Sequence, residues 1–209
     1  LELEPFAVMA IVNVTPDSFF APSRRAAARD ARDAAMAAFA AGAAVVDLGG
    51  ESTRPGSAAV PAEEELERVV PAIAAIRAEC DLPISVDTKK AAVARAALAA
   101  GADIVNDVAA LADPGMAEAA AAAGAAVILM HMKGEPGTMQ DAPGYADCAA
   151  EVRDFLASAA GRALAAGIPR SAIALDPGIG FGKRLSDNLS LLARLDELAA
   201  LGYPLLVGL

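Results

Sequence analysis

Three side chains carry the clearest chemical promise in this 209-residue chain: Asp87 in SVDT, Asn106 in GADIVNDV and Asp176 in LDPG. A carboxylate accepts two parallel hydrogen bonds, and an amide offers one donor and one acceptor. That inventory suits reading a flat heterocycle rich in N–H and C=O groups. Buried without partners such groups are costly, so a ligand or a cation is expected beside them. The plainer alternative is that Asp87 and Asp176 cap the helices that follow. Two further loops gather polar groups. NVTPDSF (13–19) sets an amide, two hydroxyls and a carboxylate around Pro16. GGESTRPG (49–56) sets Arg54, suited to anions, beside hydroxyls and between glycines that let a ligand approach the backbone. Turn chemistry accounts for Pro16, Pro55 and the glycines. It does not account for Arg54 clustering with hydroxyls.

Other chemistries fail on their residue requirements. PGIGFGK (177–183) has Pro177 where a phosphate loop needs glycine, and Arg184 where it needs the Ser or Thr that reaches magnesium. Its alternating glycines also miss the dinucleotide fingerprint. His131 is the only histidine and no G-x-S-x-G elbow is present, which argues against a nucleophilic triad. One His and two scattered Cys do not make an ordinary zinc site.

A repeated unit must position the remaining groups. Ala-rich segments with helical spacing end at Gly42, Gly101, Gly124, Gly167 and Gly202, where a helix needs a left-handed C′ residue, and a short apolar run follows each. Runs apolar on both faces suit strands of a buried parallel sheet. With FAVMAIVN (6–13) and LPISVD (82–87) they make seven strands. The spacing predicts a helix over Ala62–Glu79, with Glu63, Glu64 and Glu65 at its dipole-favoured start and Leu66, Val70 and Ile73 on one face. Pro71 should kink that helix or split it in two. Repeated β-then-α units mean an α/β fold with a parallel sheet. Asn13, Glu51–Arg54, Asp87, Asn106, His131 and Asp176 all stand at strand C-termini. A closed barrel gathers those ends at one mouth, whereas an open sheet uses mainly its switch point. The pattern favours the barrel.

Composition bounds the partners. The 17 Lys and Arg against 27 Asp and Glu leave a net charge of −10, which argues against nucleic acid and anionic membrane as partners. The 56% apolar content is largely alanine, and aromatics make only 4%, which suits closely packed helices better than a β-sandwich. Cys80 and Cys148 read as packed thiols rather than a disulfide. No uncharged apolar run reaches the roughly 20 residues that span a bilayer. A soluble, cytoplasmic protein of one domain is expected.

NVTPDSF (13–19), DLGGESTRPG (47–56), SVDT (85–88), GADIVNDV (101–108), MHMKGEPGTMQ (130–140) and LDPGIGFGK (175–183) together resemble dihydropteroate synthase, in order and at similar separations. The resemblance implies a (β/α)8 TIM barrel, of which about seven strands lie within residues 1–209, as a single pterin-binding barrel domain. It implies condensation of 7,8-dihydropterin-6-ylmethyl diphosphate with 4-aminobenzoate, releasing diphosphate, with sulfonamides competing for the aminobenzoate site. Carried over by motif, Asp87, Asn106 and Asp176 would hold the pterin, with Val108 and Met130 lining its pocket. Asn13 would coordinate Mg²⁺ and through it the diphosphate. Asp17 and Arg54 would close over the reacting centre, and Thr53, Pro55 and Phe181 would border the aminobenzoate. The family is commonly dimeric, so a homodimer is also implied.

Two departures from the family pattern stand out. After DSF the family continues with a glycine-paired acidic stretch, whereas Phe20-Ala21-Pro22-Ser23-Arg24-Arg25 follows here. PLLVGL (204–209) resembles the seventh strand, after which the family carries Ser-Arg-Lys and then an eighth strand with Arg and His. The working protein is therefore expected to continue past Leu209, or another segment to fill the gap. Two other readings compete: a binding-only relative, and a pterin-binding methyltransferase domain serving a corrinoid partner. The NVTPDSF and ESTRPG loops, which have no role in methyl transfer, speak against the latter.

Overall fold

The computed structural model describes residues 6–14, 21–52, 59–134, 137–141 and 143–208. Strand and helix alternate as β1 (Met9–Asn13), α1 (Ala21–Ala40), β2 (Val45–Gly49), α2 (Ala62–Arg77), β3 (Ile84–Asp87), α3 (Ala91–Ala99) and β4 (Ile104–Asp107). The alternation continues with α4 (Met116–Ala123), β5 (Ala126–Met130), α5 (Cys148–Ala165), β6 (Ile173–Asp176), α6 (Leu185–Ala193) and α7 (Leu195–Ala199). The five junction glycines expected to end helices all have positive φ. Ala21–Arg25, read from the sequence as part of the first loop, instead begins α1.

The described residues divide into two compact units, one lying within residues 6–106 and the other within residues 107–208. In the first, β1, β2, β3 and β4 pair in chain order, all parallel. Their register places Asn13, Gly49, Asp87 and Asn106 in one row across the four strands. Ile11, Asp47, Ser85 and Ile104 form the row two residues upstream, on the same face because side chains alternate. On the opposite face Val46, Leu48, Ile84, Val86 and Val105 are buried, with Val69, Ile73 and Ile76 of α2 and Val93 and Ala97 of α3. Each fully buried Val or Ile contributes about 1.5–3 kcal/mol of apolar transfer. Small alanines let the helices approach closely.

The α2 helix is not split in two at Pro71, and its buried face differs from the one expected. It runs unbroken through Pro71, and its buried face is Glu65, Val69, Ala72, Ile73 and Ile76. Leu66 and Val70 sit at the margin of that face. Burial of Val69 before Pro71 and of Ala72, Ile73 and Ile76 after it holds both halves of the helix in place. At the far end Arg77 ties strand entries together, donating to Gly101 O at 2.8 Å, Cys80 O at 3.1 Å, Leu82 O at 3.2 Å and the Asp103 carboxylate at 2.5 Å.

In the second unit β5 and β6 pair in parallel, with Met130 opposite Asp176. Val152, Leu156, Ala159, Ala160 and Ala163 line the buried side of α5. The expected seventh strand runs parallel to β6 but makes a single bridge, Leu175 with Leu205. Two bonds hold it: Leu175 N to Pro204 O and Leu206 N to Leu175 O, both 2.9 Å. Both cysteines are free thiols. Among the described residues no helix is long and apolar enough to cross a membrane.

Candidate functional site

The row at the C-terminal ends of β1 to β4 brings three of the sequence-derived candidates into line. Asn13 ends β1 exposed, and the strand continues as Val14 N donates to Gly49 O at 2.9 Å. Gly49 lies beside the Asp87 carboxylate: a Cβ there would stand in ordinary contact with it, 3.6 Å from Oδ2. Asn106 is buried, and its Nδ2 donates to Asp47 Oδ2 at 2.9 Å. Those two residues stand on β2 and β4 with β3 between them. Side chains on alternate strands meet only where the sheet curls strongly towards them, as a barrel wall does.

Asp47 was not among the sequence-derived site residues. It is 3% exposed, and burial raises its pKa above the usual carboxylate range, opposed by Ser85 and Asn106. Asp47 Oδ1 and Ser85 Oγ are both buried and make no hydrogen bond among the described residues, so Ser85 acts as a nearby rotatable hydroxyl. A charge inside the apolar run VVDLG was the available signal. A buried acid in a strand core is kept only with partners.

Behind Gly49 the stem of GGESTRPG is pinned by ions. Lys90 bonds both Glu51 and Glu65, and Lys89 lies 3.8 Å from Glu51. Burial pulls the Lys90 pKa down, but the two carboxylates outweigh it and the net shift is upward. Glu65 is 1% exposed, so it is a paired core acid rather than a solvent-facing dipole residue. Arg68 donates to Gly50 O at 2.5 Å and also bonds Glu64. A Cβ on Gly50 would come 2.8 Å from Val69 Cγ1, so the stem lies directly on α2.

In the second unit Met130 and Asp176 face the same side as register partners, and both are buried. Asp176 Oδ1 accepts from Gly178 N at 2.7 Å, which ties down the turn after β6 and caps no helix, since α6 begins at Leu185 with Arg184 as its N-cap. The turn after β6 packs backbone-to-backbone on the turn after β5. Added Cβ atoms at Gly178 (φ +64°) and Gly182 (φ +60°) would meet His131 O at 2.0 Å and Lys133 O at 2.2 Å. Lys183 fastens this contact from inside. Only 3% exposed, it donates to Gly178 O at 2.7 Å, Phe181 O at 3.0 Å and His131 O at 3.2 Å. Its Nζ also lies 3.0 Å from His131 Nδ1. Burial lowers the Lys183 pKa to about 8, and burial together with the Lys183 charge lowers that of His131 to about 3. Neutral His131 thus presents Nδ1 as an acceptor, with its ring edge-on to Phe155 at 5.0 Å. The lysine of PGIGFGK is therefore a structural ammonium, in keeping with the rejected phosphate loop. Phe181, on the same turn, is half-buried.

Val108 is buried at the end of β4, beside strained backbone. Ala110 and Leu111 hold φ of 52° and 65°, a region that costs non-glycine residues about 1–3 kcal/mol each. The Asp107 carboxylate supports the turn, accepting from Ala109 N at 2.8 Å and Leu111 N at 2.7 Å, and Arg162 donates to Ala110 O at 2.8 Å. Nothing in residues 107–111 as a sequence signals a left-handed pair. Asp17, Thr53, Arg54 and Pro55 lie outside the described residues. No group of three or more His, Cys, Asp or Glu able to hold a metal occurs among the described residues.

Comparison with known proteins adds an independent line. The family model described as pterin binding enzyme matches residues 9–209. A dihydropteroate synthase of Escherichia coli K12 is 49% identical over 209 residues, covering 100% of this chain and 74% of that protein. The Yersinia pestis dihydropteroate synthase, solved with a sulfonamide drug complex, superposes with a TM-score of 0.90 at 47% identity, covering 97% of this chain and 74% of its own. The Xanthomonas albilineans dihydropteroate synthase with 4-aminobenzoic acid superposes with a TM-score of 0.87 at 49% identity, covering 97% and 72%.

Proposed function

This chain belongs to the pterin binding enzyme family, and on that premise we infer that it is a dihydropteroate synthase, an α/β protein of the TIM-barrel class. The reaction joins 7,8-dihydropterin-6-ylmethyl diphosphate to 4-aminobenzoate. The bond between the pterin methylene carbon and the diphosphate oxygen breaks, the aminobenzoate nitrogen bonds that carbon, and the amine gives up a proton. The observation that carries the reading is the row of Asn13, Gly49, Asp87 and Asn106 at the strand ends.

Asp87, Asn106 and Asp176 are proposed to hydrogen-bond the pterin, with Val108 and Met130 as its apolar lining. Fixed carboxylates also stabilise positive charge as it develops on the methylene carbon when diphosphate departs. No protein nucleophile is required. Phe181, with Thr53 and Pro55, is proposed to border the aminobenzoate, and Asp17 and Arg54 to exclude water from the reacting centre. Asn13 offers a single exposed amide oxygen. An amide oxygen is a hard ligand of the kind Mg²⁺ accepts, and the ion would keep most of its waters and take its negative ligands from the substrate phosphates. When bound there, Mg²⁺ would neutralise charge on the leaving diphosphate. Residues 1–209 are proposed to belong to a single pterin-binding barrel domain, in the cytoplasm, of a homodimer inhibited by sulfonamides.

The test is diphosphate release from the pterin diphosphate by an intact version of the chain, with 4-aminobenzoate present. Turnover that Asp87→Asn abolishes along with pterin affinity is the expected result. Pterin binding without turnover would favour a binding-only protein instead.

A further inference from the structure

The Asp47–Asn106 contact does more than satisfy a buried acid. Asp47 lies in the register row two residues upstream of the site row, about 7 Å deeper along the strands. Its row partners Ile11 and Ile104 are apolar, and Ser85 carries only a rotatable hydroxyl. An ionised carboxylate accepts and never donates. The end of the Asn106 amide that meets Asp47 Oδ2, at 2.9 Å, is its nitrogen, donating to that carboxylate oxygen. Turning the amide over would press two acceptor oxygens together where water cannot separate them, since Asp47 and Asn106 are 3% and 8% exposed.

We propose that Asp47 is a positioning residue of the pterin site: by holding the amide nitrogen of Asn106 it leaves the amide oxygen to meet the ligand, so that Asn106 reads a ring N–H as an acceptor. This deepens the pterin role given to Asn106 above and rests on it. It assigns the selectivity at that position to a residue that does not touch the ligand. An asparagine at 47 would be nearly the same shape but could either donate or accept, so the Asn106 amide would lose its fixed sense. A ligand presenting an acceptor at that point would then be tolerated where the parent rejects it.

The experiment measures calorimetric affinity for 6-hydroxymethylpterin in the parent, Asp47→Asn, Asn106→Ala and the double variant, with the melting temperature of each. Asp47→Asn is expected to weaken the pterin roughly tenfold, about one ordinary hydrogen bond. It should leave 4-aminobenzoate affinity within a factor of about two, since one hydrogen bond at a separate subsite is undisturbed. The double variant should bind no worse than Asn106→Ala, because Asp47 acts only through that amide. A loss that multiplies in the double variant, or an unchanged affinity in Asp47→Asn, overturns the proposal while the role of Asn106 stands. An unchanged affinity in Asn106→Ala overturns the underlying reading as well. Should Asp47→Asn fail to fold, hydrogen exchange of the ¹⁵N-labelled Asn106 side chain in the parent decides. One amide proton is expected to be strongly protected, and two fast-exchanging protons overturn the assignment.

Discussion

His131 offers a clean measurement because it is the only histidine in the chain. Burial, together with the Lys183 ammonium 3.0 Å from Nδ1, lowers its pKa from 6.5 to about 3. The unfolded chain takes up a proton as pH falls through 6.5, whereas the folded protein does not until near 3. Stability from this group is therefore fully present above pH 6.5 and is lost progressively as pH falls towards the folded value. At 1.36 kcal/mol per unit, going from pH 7 to pH 5 costs about 2 kcal/mol from this one ring. That is a large part of a typical 5–15 kcal/mol total. Urea unfolding at the two pH values gives the loss directly. His131→Asn keeps an acceptor near the place of Nδ1 without the titration, and should recover most of the difference. The ring signals of the parent should stay unshifted down to pH 4 while the protein remains folded. A ring that titrates near 6.5 in the folded state, or an equal pH dependence in His131→Asn, would refute the buried neutral histidine.

Three further outcomes are expected. Gly178→Ala should cost about 3 kcal/mol in urea unfolding, combining left-handed backbone with overpacking against His131 O at 2.0 Å; a loss under about 1 kcal/mol would mean the two turns separate easily. Lys90→Met should cost about 3 kcal/mol by stranding Glu65, with partial recovery on adding Glu65→Gln; the absence of recovery would show that the lysine contributes through packing alone. Chelation of Mg²⁺ should weaken diphosphate binding several-fold, as equilibrium dialysis would show, and an insensitive affinity would remove the cation from Asn13.

Lys183 also bears on pH. Its lowered pKa of about 8 means that the folded state releases this proton before the unfolded chain does, so its share of stability rises between pH 8 and 10.5.

Much of this protein is local, and what is local was legible in the residues. The junction glycines mark helix ends because only a residue without Cβ takes positive φ freely. The strand ends at Asn13, Asp87, Asn106–Asp107 and Asp176 follow from apolar runs that stop at a polar residue. The single bridge at Leu205 was foreshadowed by the apolar run after Gly202. Tertiary structure decided which polar groups face a ligand and which face each other. Glu63, Glu64 and Glu65 look alike as a triplet, yet helix phase on the sheet buries Glu65 against Lys90. The sequence ruled out a phosphate loop at Lys183 but left the lysine without a role until the fold closed four acceptors around it. Asp47 and Asn106 are 59 residues apart and on non-adjacent strands. Only the curl of the sheet brings their side chains together, and curvature belongs to several strands at once, not to any one stretch of residues.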